Sequence, residues 1–397
     1  MSTWASVSLP RVAPLEGLSG AVGDIGWLGA PLARRQDEAL RGARLPARAG
    51  DDPRAQRFVF REDLAFSQGF AQLARIQAPA GRDVRLVLGG AIGALQAQIS
   101  PHEPAPLAGV LAPGGAVSAE RLAAAEPLVL RPAETSLSFP LPGGGVGGAA
   151  AAEVPMSAHL AVPVGHWLGW LWANLLALGP WLFGELLGTF FPAIALRYGW
   201  AALRARSVRP ARVGAVLGRR GRGCAVHPSA VVEGSWLGDG VSIGANAVVR
   251  GCVLADGAAV EDLALAEGSV LGPGARVLRT GMVKFSVLGA RAMAGGDMQL
   301  AALDAGASVK LTAALFDQAF GQPVQVAFGD ARHPAPFGFA GVCVGAGTAV
   351  GGGVRVAPGR VLPPGLTILA DPDAVVRRVP AGLSGTVVVR GGSLVPV

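Results

Sequence analysis

From Val226 onward, aliphatic residues recur at Val232, Leu237, Ile243, Val249, Leu254, Val260, Leu265, Leu271 and Val277, in steps of 6, 5, 6, 6, 5, 6, 5, 6 and 6. A small residue follows many of them, as at Gly238, Gly244, Ala255, Ala266 and Gly272. A second run, Val344, Val350, Val356, Leu362 and Ile368, keeps steps of 6, with Gly345, Gly351 and Ala357 in the small position. This is neither the period of a helix nor that of a flat strand. It fits a triangular coil of three short strands, in which each aliphatic side chain points inward and stacks on its equivalent one coil above. The corners need residues that tolerate tight backbone geometry, and the 59 glycines suit such a fold. Edges then occur only at the two ends of the stack.

The rhythm lapses over residues 292–340, which read as β-strands plus a long excursion or as an irregular coil. Upstream, the pattern alternates. Leu32–Ala43 is amphipathic and predicts a helix, Gln56–Phe60 a strand, Ser67–Ile76 a helix capped by Ser67, and Val84–Gly89 a strand. Residues 127–141 predict further extended segments, and a Gly-rich break follows from Pro142 to Ala152. Alternating strand and helix predicts a small α/β unit.

Between Trp167 and Leu196 the only charged residue is Glu185, and five tryptophans lie from Trp167 to Trp200. Gly179-Pro180 and Pro192 divide the run into pieces shorter than the roughly 20 residues a span needs, which predicts a helical hairpin. Three environments fit it: a linker buried against the prism or a subunit neighbour, a hairpin dipping into one leaflet, and a spanning helix. The arginines that follow (Arg197, Arg204, Arg206, Arg209, Arg212) suit the second. His166 and Asn174 lie on roughly one helical face and are expected to hydrogen-bond neighbouring backbone.

The net charge is +7, carried by arginine, since Lys284 and Lys310 are the only lysines. The basic cluster from Arg197 to Arg222 lacks interleaved aromatics beyond Tyr198 and Trp200, so nucleic acid is not an expected partner. Cys224, Cys252 and Cys343 are odd in number and have no metal-ligand spacing, which predicts a reducing compartment without a disulfide framework. No charged region followed by an apolar run and cleavage site opens the sequence, so a secretory signal is not expected. Together these features predict a cytoplasmic location, with association with the inner membrane face if residues 167–196 contact lipid.

The segment "VHPSAVVEGSWLGDGVSIGANAVVRGCVLADGAAV", with its opening His227–Ala230, resembles the hexapeptide-repeat transferases, and "VGAGTAVGGGVRVAPGRVLPPGLTI" is similar to their closing coils. The resemblance covers residues 224–291 and 341–379. It implies a left-handed parallel β-helix, acyl transfer from acetyl-CoA or another acyl-CoA to a sugar or nucleotide-sugar, and a homotrimer. It also implies that the excursion builds an acceptor or coenzyme pocket. "FVFREDLAFSQGFAQLARI" is similar to a segment of sugar nucleotidyltransferase domains, over some 30 residues. That family's Gly-rich "GxGTR"-like loop is missing, and there is no lysine before Lys284. The N-terminal unit therefore resembles a degenerate nucleotidyltransferase, with Mg expected only if it is active. The predicted organisation is an α/β domain over 1–150, an apolar helical linker over 151–223 and the β-helix over 224–397.

Acyl transfer needs a general base and N–H groups for the oxyanion. Of the five histidines, His102 and His159 fall in connectors and His227 in the coil-opening motif, where a structural role is expected. His333 lies in the excursion beside Arg332 and near Asp330, and is the candidate base. Arg332 and Lys310 are candidate substrate-binding cations. Asp63 could stand where a nucleotidyltransferase holds metal; alternatively Glu62 and Asp63 cap the helix that follows. A non-catalytic β-helical scaffold or regulatory subunit descended from a nucleotidyltransferase, with membrane contact through 167–196, is the alternative to an enzyme.

Overall fold

The structure is a computed structural model that describes residues 4–11, 15–46, 52–101, 108–140, 151–188, 191–319 and 321–396. His102 and the Gly-rich stretch 141–150 lie outside the described residues.

The C-terminal half is a left-handed parallel β-helix. Its three sheets hold eight, eight and seven strands, starting at Gly218–Arg220, Ala225–Val226 and Val231–Glu233. Leu237, Ile243 and Val249 fall on the three successive sheets, as the periodicity predicts. Register sets a coil of 17 residues, with Leu237, Leu254, Leu271 and Leu288 stacked in one column. One inward position differs from the prediction. Ala266 pairs with Val249 on one side and Val283 on the other, so Ala266 points inward, while Leu265 lines up with Val248 and Met282 on the outside. Hydrophobicity favours leucine over alanine, but the strict 6, 6, 5 order of the coil decides.

The lapse over 292–340 is also narrower than predicted. The prism continues through Met293–Ala294, Asp297–Gln299, Ala302–Leu303, Ser308–Val309 and Ala314–Leu315. Its inward residues there include Ala294 and Met298, and one corner is shortened at Gly295-Gly296. A Cβ on Gly296 would stand 2.2 Å from the Ala313 carbonyl oxygen, so only glycine makes that corner. The true excursion follows Leu315 and carries an antiparallel hairpin, Gln325–Phe328 with Ala331–Pro334. The last prism strand is Thr367–Ile368, and a separate hairpin, Val387–Arg390 with Ser393–Pro396, comes after it.

The α/β unit is built on a mixed five-stranded sheet. Its strands are β1 (Trp4–Leu9), β2 (Gln56–Arg61), β3 (Val84–Leu88), β4 (Ala108–Leu111) and β5 (Glu126–Leu130), in the order β1-β2-β4-β3-β5. Helices α1 (Leu32–Gly42), α2 (Gln68–Gln77), α3 (Gly90–Ile99) and α4 (Ala119–Ala124) accompany it. The Ser67 hydroxyl accepts from the Phe70 amide at 3.2 Å and caps α2 as predicted. Ala151 and Ala152 belong to a strand, Ala151–Met156, paired with Thr135–Pro140, rather than to the predicted break.

The apolar run forms α5 (Trp167–Leu187), which passes through Gly179 and Pro180 as one helix. The predicted break there does not occur. Proline removes one intrahelical bond, but α5 is buried over most of its length and its neighbours hold it. The helix ends instead at Gly188, whose φ of +95° a side chain would strain. Helix α6 (Phe191–Ala205) then leaves at 85° to α5, and α7 (Pro210–Val216) leads into the prism.

The burial of α5 has a cause in the prism. On the first sheet the outward column is Val253, Val270, Val287, Ala302 and Cys343, all at most 2% exposed. These residues form one hydrophobic cluster with Trp167, Leu171, Trp172 and Leu178 of α5 and with Ile92, Leu95 and Ile99 of α3. The prism is therefore apolar inside and out on this face, and α5 is the layer that joins it to the α/β unit. No single described helix is long and apolar enough to cross a membrane.

Candidate functional site

The excursion hairpin lies over the start of α5. His166 precedes that helix, and its Nδ1 accepts from the Leu168 amide at 3.1 Å. Its Nε2 meets the Ala327 carbonyl at 3.1 Å, and the ring stacks on Phe328 at 4.0 Å. With Nδ1 accepting, Nε2 carries the proton and the imidazole is neutral. Burial lowers its pKa to about 4, outweighing the carbonyl's opposite effect. Asn174 accepts from the Leu28 amide at 2.7 Å and donates to the Trp170 carbonyl at 3.0 Å. Both side chains serve backbone, as the sequence predicts.

The hairpin separates two residues that adjoin in sequence. His333 pairs with Val326, which is fully buried, and Arg332 pairs with Ala327. Alternation puts His333 on the inner face, half-buried and edge-on to Phe328 at 5.9 Å, and Arg332 on the outer, exposed face. Lys310 is exposed at the prism corner after Ser308–Val309. Asp63 is fully buried, with ion pairs to Arg61 and to Arg11, the latter at 2.6 Å. Glu62 accepts from the Arg11 amide. Neither carboxylate caps α2, because the strand Leu64–Phe66 and Ser67 intervene. Among the described residues no cluster of three or more His, Cys, Asp or Glu could hold a metal ion.

A groove on the second sheet brings together a set the sequence reading did not assemble. Over ≈ 560 Å³, strands one coil apart place His227, Glu261, Asp262 and Arg279 around the small outward residues Ala225 and Ser242. The His227 Nδ1 meets the Ser229 hydroxyl at 2.8 Å and accepts from its amide at 3.2 Å. All four carboxylate oxygens of the acidic pair are engaged. Glu261 accepts from the Arg276 guanidinium at 2.8 Å and the Arg279 amide at 3.0 Å, and Asp262 from the Ala245 amide at 2.8 Å and the Arg279 guanidinium at 3.0 Å. The Ala245 N–H, then Arg279, with His227 adding a smaller pull, holds the Asp262 carboxyl below its ordinary range. The signal for this groove was the 17-residue coil itself, which sets His227, Gly244 and Glu261 at successive levels of one corner. Toward a coenzyme phosphate the groove would present the outer side of Arg279, whose guanidinium is also paired with Asp262, above a wall of small residues.

A second recess, of ≈ 360 Å³, lies between α5 and the prism and is almost wholly apolar. Trp172, Leu175, Phe285 and Leu300 line it, with Asp317 among its few polar lining residues. Burial there raises the Asp317 carboxyl above its ordinary range. Cys252 and Cys343 are buried in the prism wall, and burial pushes the Cys252 thiol up to about 12, so neither resembles an activated nucleophile.

Among solved structures, the chain is similar to acetyltransferases. The acetyltransferase domain of PglB from Neisseria gonorrhoeae, solved with acetyl coenzyme A, is 15% identical over 70% of this chain and 93% of its own, with a TM-score of 0.21. The same domain solved alone is 16% identical over 63% and 98%, at 0.20. A putative acetyltransferase from Bacillus cereus is 15% identical over 36% and 78%, at 0.17. No family model and no curated protein matches the chain.

Proposed function

We propose that the protein is a hexapeptide-type acyltransferase that moves an acyl group from acetyl-CoA or another acyl-CoA onto a hydroxyl or amine of a sugar or nucleotide-sugar. The observation that carries this reading is the groove on the second sheet, where an imidazole stands beside an anionic pair and an exposed guanidinium on a rigid wall. In the tautomer whose Nδ1–H donates to the Ser229 hydroxyl, the His227 Nε2 takes the proton from the acceptor as the acceptor's oxygen or nitrogen attacks the thioester carbon; the carbon–sulfur bond then breaks, and the imidazolium returns the proton to the sulfur, so that the coenzyme leaves as the thiol. His333, half-buried on the excursion hairpin, is the competing base. Arg332 and Lys310, both exposed, remain candidates for binding an anionic substrate away from this groove.

A homotrimer and a cytoplasmic setting go with this reading. On the third sheet Val231, Val248, Leu265 and Met282 form an outward column, of which Val231 and Met282 are the more exposed members. Glu233 and Arg250, ion-paired at 2.9 Å, flank it. A second copy of the prism would cover that column.

The alternative is a non-catalytic scaffold derived from a nucleotidyltransferase. The full engagement of Glu261 and Asp262 favours it, since both carboxylates already brace the coil. The buried ion pairs of Asp63 weigh against a live nucleotidyl-transfer site. Thermal unfolding with acetyl-CoA decides. A ligand that binds only the folded state raises the midpoint, and His227→Ala should then abolish thiol release to a sugar acceptor while the midpoint shift persists. Full transfer by His227→Ala with loss in His333→Ala moves the base to the hairpin. No shift with any acyl-CoA sinks the enzyme reading.

A further inference from the structure

We propose that the outer face of α6 docks this protein on a bilayer surface containing anionic phospholipid. The run expected from sequence to contact lipid, 167–196, is mostly α5, which the prism and α3 cover over its first part, leaving Phe183 exposed towards its end. The face left open is on the next helix. Leu196, Trp200 and Leu203 are 75%, 55% and 81% exposed, at spacings of four and three that place them in one stripe. Ala201, on the other side, is fully buried. The stripe is therefore the outward side of a helix held at its back, not a helix end without a place in the fold.

Charge selects the partner. Between Leu186 and Val232 the sequence has eight arginines and no aspartate or glutamate. Among the described ion pairs in this stretch, Arg219 meets Glu185 and Arg222 meets Asp239, whereas Arg204 lies over the Trp200 ring at 5.5 Å. Arg197 and Arg204 flank the apolar stripe on α6, and Arg206, Arg209 and Arg212 are exposed just beyond it. An apolar stripe bordered by cations, with a tryptophan at the boundary, matches a helix lying in the interface of an anionic bilayer: leucines enter the acyl boundary and arginines meet phosphates. A water-soluble acidic partner would satisfy the arginines without needing the leucines.

Co-sedimentation of the full chain with vesicles tests this. Vesicles of phosphatidylcholine and phosphatidylglycerol should pull the protein down at low salt, and phosphatidylcholine alone should do so weakly. The exposed-site variant Leu196→Glu/Leu203→Glu should lose partitioning by roughly tenfold or more, with its circular dichroism and thermal midpoint kept. Arg204→Gln/Arg209→Gln should lose it in part and with a weaker salt dependence. The proposal is overturned if anionic vesicles fail to bind the protein, or if the leucine variant binds as well as the parent, which would mean simple electrostatic adsorption. It is also overturned if, without lipid, the leucine variant converts a larger oligomer to a smaller one, because a second copy then covers α6.

Discussion

His166 shows how one side chain can be diverted from chemistry by its surroundings. It caps α5 through Nδ1, bonds Ala327 through Nε2 and stacks on Phe328, so both nitrogens are committed. Its pKa lies near 4 in the folded protein against 6.5 for the free side chain. Between those values the unfolded chain binds the extra proton, so stability is fully present above about pH 6.5 and falls as pH drops towards 4. The interval corresponds to something on the order of 3 kcal/mol. His166→Asn, which keeps a capping side chain, is expected to be less stable at neutral pH and to show a flatter decline from pH 6.5 to 4.5 in denaturant titrations. An unchanged slope would mean that the imidazole is not buried neutral. His227, by contrast, sits in an open groove, and that difference in exposure, invisible in the letters around each histidine, is what separates the two.

At the scale of elements, the prism strand is only two or three residues long and has no stability of its own. Each owes its place to stacking with its equivalents one coil above and below. Leu271 is fully buried between Leu254 and Leu288. Leu271→Ala should therefore cost about 2–5 kcal/mol by leaving a cavity that rigid coils cannot close, measurable as a lower denaturant midpoint. A loss well under this range would show that the coils collapse onto the gap. The repeat was legible because each inward residue is set by arithmetic along the chain. At Leu265 hydrophobicity and arithmetic disagree: the 6, 6, 5 order selects Ala266, six residues after Val260, and the leucine beside it faces out. The coils after Met293 were hidden for a related reason, since Ala294 and Met298 break the aliphatic pattern and Gly295-Gly296 shortens the period.

In the whole molecule, α5 is the shared layer. One side meets Val253, Val270 and Val287 of the prism, and another meets α3 of the α/β unit. Removing the α/β unit and α5 would bare the outer apolar column of the first sheet. A chain starting at residue 218 is expected to bind a hydrophobic dye and to self-associate, whereas the intact protein should do neither through this face. A truncated chain that stays dispersed and does not bind the dye would mean that α5 is not needed to cover the prism. Docking through α6 also belongs to this scale, because it depends on α5 being occupied and α6 being left with an open side.

The sequence by itself determined the prism over its first coils and its last ones, the elements at Leu32–Ala43, Gln56–Phe60, Ser67–Ile76 and Val84–Gly89 but not the strand Trp4–Leu9 or helix α3, and the backbone-bonding roles of His166 and Asn174. Those are local matters of period, capping and side-chain type. Only the tertiary structure decided that Asp63 is tied to two arginines, that Arg332 and His333 face opposite ways, and that His227 stands in a groove with Glu261 and Asp262. It also decided where the tryptophan-rich helix lies, because an apolar surface is satisfied equally by lipid or by protein, and only the apolar outer wall of the prism resolves which.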